Sequence, residues 1–341
     1  MTEHRMRVLH APTNPAGQAT TISRAQRELG IESDVLVFNK SVFAFDVDID
    51  LKMDSRPWGT RTLIKKWNFL KCARRYDIFH FHYGRSLLPK NLDLSLLRMM
   101  GKKIVMQYWG SDVIQMDVAK KYTLLSEETL KQVIPGLNDE KQRKRIARME
   151  KKVDASIVGD YSLLPFSPDS KVIRQALDLA SFPFVGCEPK SGDVNIVHAP
   201  TNRLIKGTDE IIAAVERLKK DGHRVNLIMV ENMPHSEAIE VFKRADIVVD
   251  EVLQGPYGLV AMECMALGKP VLGRIDEHFV GMYKDLPIVN SNPGNLYENL
   301  KTLALDPRMR IDLGKRGRAY VEANHDAKMI AQQFIDMYKS L

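Results

Sequence analysis

Two cations and a glycine follow a predicted strand in the C-terminal half of the 341-residue chain. Arg203 and Lys206 precede Gly207 in a predicted loop, and a predicted helix begins after that glycine. Backbone amides at a helix start attract anions, and an Arg fork beside a Lys point charge suits a diphosphate. The pattern therefore indicates a diphosphate site, with two solvated loop cations as the alternative. No Walker-type loop, Gly-x-x-x-x-Gly-Lys-Ser/Thr, occurs in the chain.

A carboxylate stands in an apolar setting further along, in the segment from Asp250 to Val271. There a predicted strand ends, a turn containing Gly and Pro follows, and a helix is predicted to begin near Gly258. Glu263 falls in the second turn of that helix, where a buried carboxylate needs a partner. The paired hydroxyls of a sugar are one such partner, and a core salt bridge or an orientation toward solvent is the alternative.

A repeated pentapeptide indicates which elements position these groups. The sequence from His10 to Asn14 recurs from His198 to Asn202. Each copy follows a short apolar run and precedes a glycine, Gly17 or Gly207, and then an amphipathic helical stretch. The chain is therefore predicted to form a strand, turn, glycine, helix and strand twice, with the histidine of each copy ending its strand.

Predicted strands and helices alternate along the chain. The predicted strands are 6–9, 33–38, 78–82, 103–107, 155–159, 171–174, 194–198, 224–230, 247–250, 269–272 and 287–289. Strands that are apolar throughout are typical of parallel sheets covered on both faces, so the predicted fold class is α/β. Such sheets bind ligands outside the carboxyl ends of their strands.

A segment rich in Pro and Gly, residues 178–193, interrupts this alternation and marks a domain boundary. The predicted organisation is an N-terminal Rossmann-like domain at 1–180, a linker at 181–193, a C-terminal Rossmann-like domain at 194–325 and a helix at 326–341 that returns to the N-terminal domain. Past residue 292 the pattern is helical, with helices predicted at 296–305, 307–323 and 325–341.

The composition, 44% hydrophobic and 27% charged, is typical of a folded globular protein. No apolar run approaches the roughly 18 residues of a membrane-spanning helix, and the N-terminus lacks the apolar core of a signal peptide, so a cytoplasmic location is predicted. The cysteines, Cys72, Cys187 and Cys264, are widely spaced. Their spacing favours buried free thiols over disulfides or a metal knuckle.

The net charge of +7 includes two basic clusters on predicted helices. The first comprises Arg61, Lys65, Lys66, Lys71, Arg74 and Arg75, interleaved with apolar residues that include Trp58 and Trp67. The second comprises Lys141, Arg143, Lys144, Arg145, Arg148, Lys151 and Lys152. Each cluster is interpreted as a solvated helix face, a surface that adsorbs to anionic lipid, or a site for a phosphorylated acceptor. Nucleic acid is disfavoured because the recognition signatures of the usual modules are missing.

Four segments together resemble the motifs of the family 4 glycosyltransferases of the GT-B fold. Tyr257 to Val271 resembles the family's signature segment, and Arg203 to Gly207 resembles its Arg-plus-Lys-Gly loop. Asp77 to His82 and Trp109 to Asp112 resemble its Asp-x-x-His-x-His and His-Gly-x-Asp stretches. The resemblance spans nearly the whole chain and implies two facing Rossmann-like domains. It also implies transfer of a sugar, with retention, from a UDP- or GDP-type donor to an acceptor in polysaccharide, glycolipid or cell-surface glycan synthesis.

The resemblance also implies roles for individual residues. Arg203 and Lys206 would bind the diphosphate and stabilise the leaving nucleotide, and Glu263 would hold the ribose. The remaining donor contacts would be Gly17, Tyr257, Gly258, Leu259 and Val260, and the residues at the acceptor side would be His82, Trp109 and Asp112. His82 at a strand end has a structural role as its alternative. Lys206→Ala is expected to reduce turnover strongly and to leave the fold intact.

No metal or other cofactor is implied, because Arg203 and Lys206 would neutralise the nucleoside-diphosphate-sugar substrate. The acidic pair Asp48 and Asp50 lies in a predicted loop and is expected to be solvated rather than to bind a metal.

Two positions depart from the family pattern. Gly255 stands where a second Glu is usual, and Trp109 stands where His is usual. Asp250, Glu251 or Gln254 is a candidate replacement for the missing carboxylate. The departures keep two alternatives open: a nucleotide-sugar epimerase or hydrolase of the same fold, and a non-catalytic nucleotide-sugar binder. A nicotinamide-dependent dehydrogenase is disfavoured, because neither glycine loop reads Gly-x-Gly-x-x-Gly.

Overall fold

The computed structural model describes residues 6–40, 45–188 and 193–341, which form two compact units. The first unit consists of Met1–Gln115, Asn138–Ala176 and Ala327–Leu341, and the second of Met116–Leu137 and Leu177–Asp326. Each unit contains one parallel sheet, so the predicted α/β class is confirmed. Residues 1–5, part of the segment searched for a signal peptide, and residues 189–192 of the predicted linker lie outside the described residues.

The first unit is built on a seven-stranded sheet in the order β3-β2-β1-β4-β5-β6-β7. Numbered along the chain, its strands are β1 Arg7–Ala11, β2 Glu32–Val37, β3 Ile49–Asp50, β4 Ile78–His82, β5 Lys103–Tyr108, β6 Ala155–Val158 and β7 Lys171–Val172. The central strand β4 is buried at every residue. Its sequence, Ile78 to His82, combines three apolar residues with two buried histidines.

Helices cover both faces of this sheet. They are α1 Gln18–Glu28, α2 Trp58–Arg75, α3 Leu92–Met99, α6 Asp139–Glu150 and α14 Ala327–Ser340. On one face, Ile22 of α1 and Ile330 and Phe334 of α14 share a buried cluster with Val8 and Ile78. Right-handed connections between parallel strands place α2, α3 and α6 on the opposite face, because their chain path runs across the sheet in the other direction.

The second unit has a five-stranded sheet in the order β12-β11-β10-β8-β9. Its strands are β8 Val194–His198, β9 Val225–Met229, β10 Ile247–Val249, β11 Val271–Gly273 and β12 Val289–Asn290. Its helices are α4 Met116–Ala119, α5 Glu127–Val133, α7 Arg203–Lys206, α8 Thr208–Lys220, α9 His235–Lys243, α10 Leu259–Ala266, α11 Glu277–Val280, α12 Leu296–Leu305 and α13 Pro307–Asn324. Ile211 of α8, Leu300 of α12 and Val249 of β10 lie in one buried cluster.

The structure differs from the sequence predictions at residues 49–50 and at residues 116–137. Ile49–Asp50 was predicted as loop and forms the short edge strand β3, which a two-residue pattern does not reveal. The predicted N-terminal domain included residues 116–137, which the structure assigns to the second unit. The reason is local bonding: the Leu124 amide donates to the Leu253 carbonyl at 2.9 Å, and Arg274 Nη1 donates to the Tyr122 carbonyl at 3.0 Å.

Over the described ranges, helices are either too short or too polar to traverse a bilayer.

Candidate functional site

The carboxyl edge of the second sheet holds the cations singled out above. The predicted loop around them is in fact a single helical turn, α7, which the Asn202 side chain caps by accepting from the Leu204 and Ile205 amides at 3.0 and 3.2 Å. Gly207 follows with a φ of 72°, and a Cβ there would lie 2.5 Å from Val252 Cγ2. The turn therefore needs glycine at this position, both for its left-handed backbone and for the close approach of β10's continuation.

Arg203 makes a bidentate ion pair with Glu231, which follows β9. Its Nε and Nη2 atoms lie 2.8 and 2.7 Å from the two Glu231 carboxylate oxygens. The Arg203 side chain is 54% exposed, so water screens this pair and an incoming anion can compete for the guanidinium. The hydrogen bond from Arg203 lowers the pKa of the Glu231 carboxyl.

Lys206 is placed differently, because its ammonium is enclosed by two carboxylates. It lies 2.6 Å from Asp250 Oδ1 and 2.9 Å from Glu251 Oε2, and its side chain is only 12% exposed. Burial opposes the charge of Lys206, but the attraction of both carboxylates outweighs it and raises the pKa of the ammonium. The structure thus places Lys206 in an internal ion cluster, so we now expect its removal to destabilise the fold, whereas the sequence alone predicted an intact fold.

The start of α10 is the predicted contact for phosphate, and an internal carboxylate already reaches it. The Gly258 amide donates to Asp250 Oδ2 at 3.1 Å, so one carboxylate accepts from both the helix start and Lys206. Leu259 and Val260 begin the helix and are half-buried. The amides at this helix start and the nearby ammonium form an anion-binding arrangement that Asp250 now fills.

Glu263 lies on α10 with a side chain 9% exposed and accepts from His235 Nε2 at 2.8 Å. Of the alternatives open from the sequence, this is the salt-bridge arrangement. The bond raises the pKa of His235, which begins α9 and whose side chain is 43% exposed. Sequence reasoning missed His235, because no local pattern joins two side chains 28 positions apart.

Tyr257 was predicted to contact the donor, but its hydroxyl is bonded within the second unit. It lies 2.8 Å from His325 Nε2 and 3.2 Å from the Tyr320 hydroxyl, and the residue is buried. The contacts tie the turn before α10 to the end of α13. In this structure the hydroxyl of Tyr257 therefore has a structural role.

Gly255, the position of the usual second Glu, is packed against the segment after β11. A Cβ at residue 255 would lie 2.7 Å from Asp276 Cβ. Asp276 in turn accepts from Arg274 Nη2 at 2.5 Å and from His278 Nδ1 at 2.7 Å. Side chains from another loop thus occupy the space beside the missing carboxylate. Of the suggested replacements, the structure commits Asp250 and Glu251 to Lys206.

In the first unit, the predicted acceptor residues lie at the carboxyl ends of β4 and β5. His82 is fully buried, and its Nδ1 lies 3.4 Å from Trp109 Nε1. Asp112 accepts from the Trp109 and Gly110 amides at 2.9 Å each. Its second oxygen, Oδ2, has no hydrogen-bond partner among the described residues, and burial raises the pKa of this carboxyl. The structure therefore brings these predicted residues together.

His82 continues inward as a chain of bonded side chains that the sequence did not predict. His82 Nε2 lies 3.2 Å from His10 Nδ1, and His10 Nε2 lies 3.0 Å from Gln26 Oε1 on α1. His80 Nδ1 lies 2.6 Å from the Tyr338 hydroxyl on α14. Burial lowers the pKa of His10 to about 4 and lowers those of His80 and His82 well below the usual value.

Three histidines of this cluster, His10, His80 and His82, have nitrogen atoms within 4.8 Å of one another. The His82 ring stacks against both others, with its plane 20° from that of His80 and 18° from that of His10, and the planes of His10 and His80 differ by 38°. Both nitrogens of His10 and of His82 and the Nδ1 atom of His80 already lie within hydrogen-bond distance of protein partners. The geometry therefore describes a neutral hydrogen-bonded core cluster better than a set of metal ligands.

A cavity of about 280 Å³ lies at the carboxyl edge of the first sheet, close in sequence to Gly17. The glycine has a φ of 76°, and a Cβ there would lie 2.8 Å from the Phe45 ring. Thr13, Phe45 and Tyr83 line the cavity, and the Thr13 hydroxyl has no partner among the described residues. Phe45, which the sequence did not single out, thus covers the glycine that was expected to approach the donor.

Comparisons with known proteins support the fold. No protein-family model matches the chain. Glycogen synthase from Mycobacterium tuberculosis is 22% identical over 196 residues. The match covers 49% of this chain and 47% of the glycogen synthase, so the chain spans about half the length of that curated relative. A sucrose-phosphate synthase from Thermosynechococcus elongatus has a TM-score of 0.68 at 16% identity, with 99% of both chains covered. Anabaena HepE in complex with UDP-glucose has a TM-score of 0.64 at 14% identity and covers 99% of this chain and 100% of its own. The chain has the GT-B fold that the sequence resemblance predicted, and its membership of family 4 stays a prediction.

Proposed function

We propose that the chain is a glycosyltransferase that moves a sugar from a UDP-sugar to an acceptor. The observation that carries the proposal is the grouping of Arg203, Lys206, the start of α10 and Glu263 at the carboxyl edge of one parallel sheet. This edge is where open α/β sheets bind nucleotides. UDP is the proposed nucleotide, because the HepE structure of the same fold contains UDP-glucose.

In the proposed donor site, groups of the donor replace the protein's own ion-pair and hydrogen-bond partners. The donor diphosphate displaces Glu231 from the exposed Arg203 guanidinium, and the ribose hydroxyls compete with His235 for Glu263. Lys206 and the α10 amides stabilise the charge that grows on the leaving UDP, with Asp250 yielding part of its position. Each exchange replaces one charged hydrogen bond by another, so a compensated site can still bind an anion.

On the acceptor side, we propose His82, Trp109 and Asp112 as the residues that border the acceptor and the transferred sugar. The buried Oδ2 oxygen of Asp112 has no hydrogen-bond partner among the described residues and would accept from a hydroxyl that reaches it. Transfer with retention then proceeds by front-face departure and attack, with the leaving diphosphate stabilised by the cations. The product class remains a polysaccharide, glycolipid or cell-surface glycan, as the resemblance implies.

The test is thermal stabilisation by UDP and UDP-glucose, because a ligand that binds only the folded state raises the melting temperature. The wild type is expected to gain several degrees at saturating UDP, and Arg203→Ala is expected to lose most of this gain. Arg224→Ala is the matched control, since Arg224 is also an exposed arginine of the second unit paired with a carboxylate, Asp193. Equal stabilisation of both variants would contradict the assignment of Arg203.

The same preparation separates the alternatives. Incubation with UDP-glucose and a panel of acceptors is expected to release UDP only when an acceptor is present. Release of free or altered sugar without an acceptor would indicate a hydrolase or an epimerase. Binding of UDP-glucose without turnover across the panel would indicate a nucleotide-sugar binder.

A further inference from the structure

The solvent face of α2 carries a stripe of large apolar side chains, which is unusual for a surface helix. Leu63, Trp67 and Leu70 are 69%, 57% and 47% exposed, and Trp58 at the helix start is 86% exposed. Residues spaced by four and three lie on one stripe of a helix, so Leu63, Trp67 and Leu70 form a continuous outward ridge. The inward stripe consists of other residues, such as Phe69. The outward ridge therefore does not contribute to the hydrophobic core.

Positive charge surrounds this ridge. The 18-residue helix contains Arg61, Lys65, Lys66, Lys71, Arg74 and Arg75 and no Asp or Glu. Lys66, Lys71 and Arg74 are exposed beside the ridge, and Lys71 Nζ lies 5.2 Å from the centre of the Trp67 ring. Over the described ranges, no carboxylate forms an ion pair with any of these three. An apolar ridge with basic flanks and tryptophans is typical of a helix that lies in a membrane interface.

Helix α3, which the right-handed connection rule places on the same side of the first sheet as α2, also exposes apolar side chains. Leu92, Leu96 and Met99 of α3 are 60%, 43% and 84% exposed. The α3 residue Arg98 donates from Nη1 to the Lys151 carbonyl at 2.9 Å, which joins α3 to the end of α6. A cavity of about 670 Å³ at this junction is lined by cations, namely Lys90, Arg145, Arg148, Lys151 and Lys152.

We propose that this face of the first unit, formed by α2, α3 and the end of α6, docks on an anionic lipid bilayer. Here Trp58, Leu63, Trp67 and Leu70 enter the headgroup region, and the flanking cations and the basic cavity contact lipid phosphates. A second copy of the chain is a poorer occupant, since two such faces would oppose like charges. Nucleic acid is also poorer, because it offers no apolar medium for a leucine ridge. The proposal is independent of the donor site, which lies in the second unit.

The test is flotation of the full chain with vesicles of phosphatidylcholine alone and of phosphatidylcholine with 30% phosphatidylglycerol. We expect at least tenfold stronger partitioning onto the anionic vesicles at low salt, a steep decrease at high salt because the charges are screened, and a blue shift of tryptophan emission. Equal partitioning onto both vesicle types, or none onto either, would overturn the proposal.

Two variants locate the effect. Lys66→Gln/Lys71→Gln/Arg74→Gln and, separately, Trp67→Ala/Leu70→Ala are each expected to lower partitioning at least tenfold. The control Lys219→Gln/Lys220→Gln/Arg224→Gln removes the same charge from exposed positions of the second unit and is expected to partition like the wild type. If the control loses binding equally, net charge rather than this face is responsible, and the proposal is overturned.

A dimeric wild type would also overturn the proposal if the Trp67→Ala/Leu70→Ala variant were monomeric, because the face would then be an interface between copies. UDP stabilisation of every variant is expected to stay unchanged, which separates failure here from failure of the proposed function.

Discussion

The two copies of the repeated pentapeptide begin with the same histidine and surround it differently. His198 in the second unit is bonded to the Val249 carbonyl at 2.8 Å and to the Thr208 hydroxyl at 2.9 Å, so it ties β8 to β10 and α8. His10 in the first unit is instead bonded to His82 and Gln26 within a histidine cluster. Identical local sequence thus contributes to a strand in both units, while the turns after the strands differ and the partners from distant segments decide the chemistry near the strand end.

The same contrast holds for the cations and carboxylates at the two edges. The second unit carries compensated charge, with Lys206 held by Asp250 and Glu251. At the comparable edge of the first unit, the predicted site residues include a buried neutral imidazole, His82, and one buried carboxyl, Asp112, which accepts from backbone amides. We interpret the first edge as suited to hydroxyl groups and the second as suited to phosphates.

The largest effect of one substitution is expected at Lys206. Lys206→Ala leaves Asp250 and Glu251 buried without their cation, which should lower the free energy of unfolding by about 3–5 kcal/mol. Urea unfolding measures this value. Lys206→Ala/Asp250→Asn/Glu251→Gln should recover a large part of it, and Lys219→Ala on the surface of α8 should change it by less than about 0.5 kcal/mol. A loss below about 1 kcal/mol in Lys206→Ala would refute the ion cluster.

Acid should destabilise the first unit more than the second. The pKa of His10 is lowered to about 4 in the folded protein, whereas a histidine in the unfolded chain has a pKa of about 6.5. Below pH 6.5 the unfolded chain therefore binds this proton more readily than the folded protein does. The stability due to His10 is therefore complete above pH 6.5 and decreases by about 2 kcal/mol at pH 5. Burial lowers the pKa values of His80 and His82 as well, so their contributions have the same sign.

In the second unit the histidines oppose one another. The pKa of His198 is lowered, but that of His235 is raised by Glu263, and the contribution of His235 is present at low pH and lost as pH rises through its raised pKa. Hydrogen exchange at pH 7 and pH 5, corrected for the intrinsic rates, should show a larger loss of protection in β1 and β4 than in β8 and β10. Equal losses would contradict the neutral histidine cluster, and His10→Asn should reduce the difference.

The glycines that follow the two pentapeptides should tolerate alanine unequally. Both have positive φ, but the added Cβ of Gly207→Ala meets Val252, which is fully buried, at 2.5 Å. In Gly17→Ala it meets the partly exposed Phe45 ring at 2.8 Å, which can move. We expect losses of about 3 kcal/mol and about 1 kcal/mol in the free energy of unfolding, respectively. The reverse order in urea unfolding would show that Phe45 is the firmer neighbour.

The fold was predictable because its strands are mainly apolar and its turns carry Gly and Pro. The partners of the site residues were not. His235, Glu231 and Tyr338 come from segments that no period or motif connects to Glu263, Arg203 or His80. Such pairings depend on which strand ends lie side by side, and that order, β10 beside β8 rather than beside β9, is a tertiary property.

The resemblance to known motifs identified Arg203 and Lys206 as site residues but did not predict which carboxylates pair with them. The motifs identify Lys206 and Gly258 by their positions in the sequence. Only the structure shows that one carboxylate, Asp250, accepts hydrogen bonds from both. For the same reason the packing of Asp276 against Gly255 was outside the reach of sequence reasoning.

The central claim is that UDP binds at the carboxyl edge of the second sheet, and hydrogen exchange with and without UDP tests it most directly. UDP is expected to increase the protection of amides in Arg203–Gly207 and at the start of α10, from Gly258 to Glu263, and to leave β1 and α2 unchanged. Protection confined to the first unit, or no protection at saturating UDP, would contradict it.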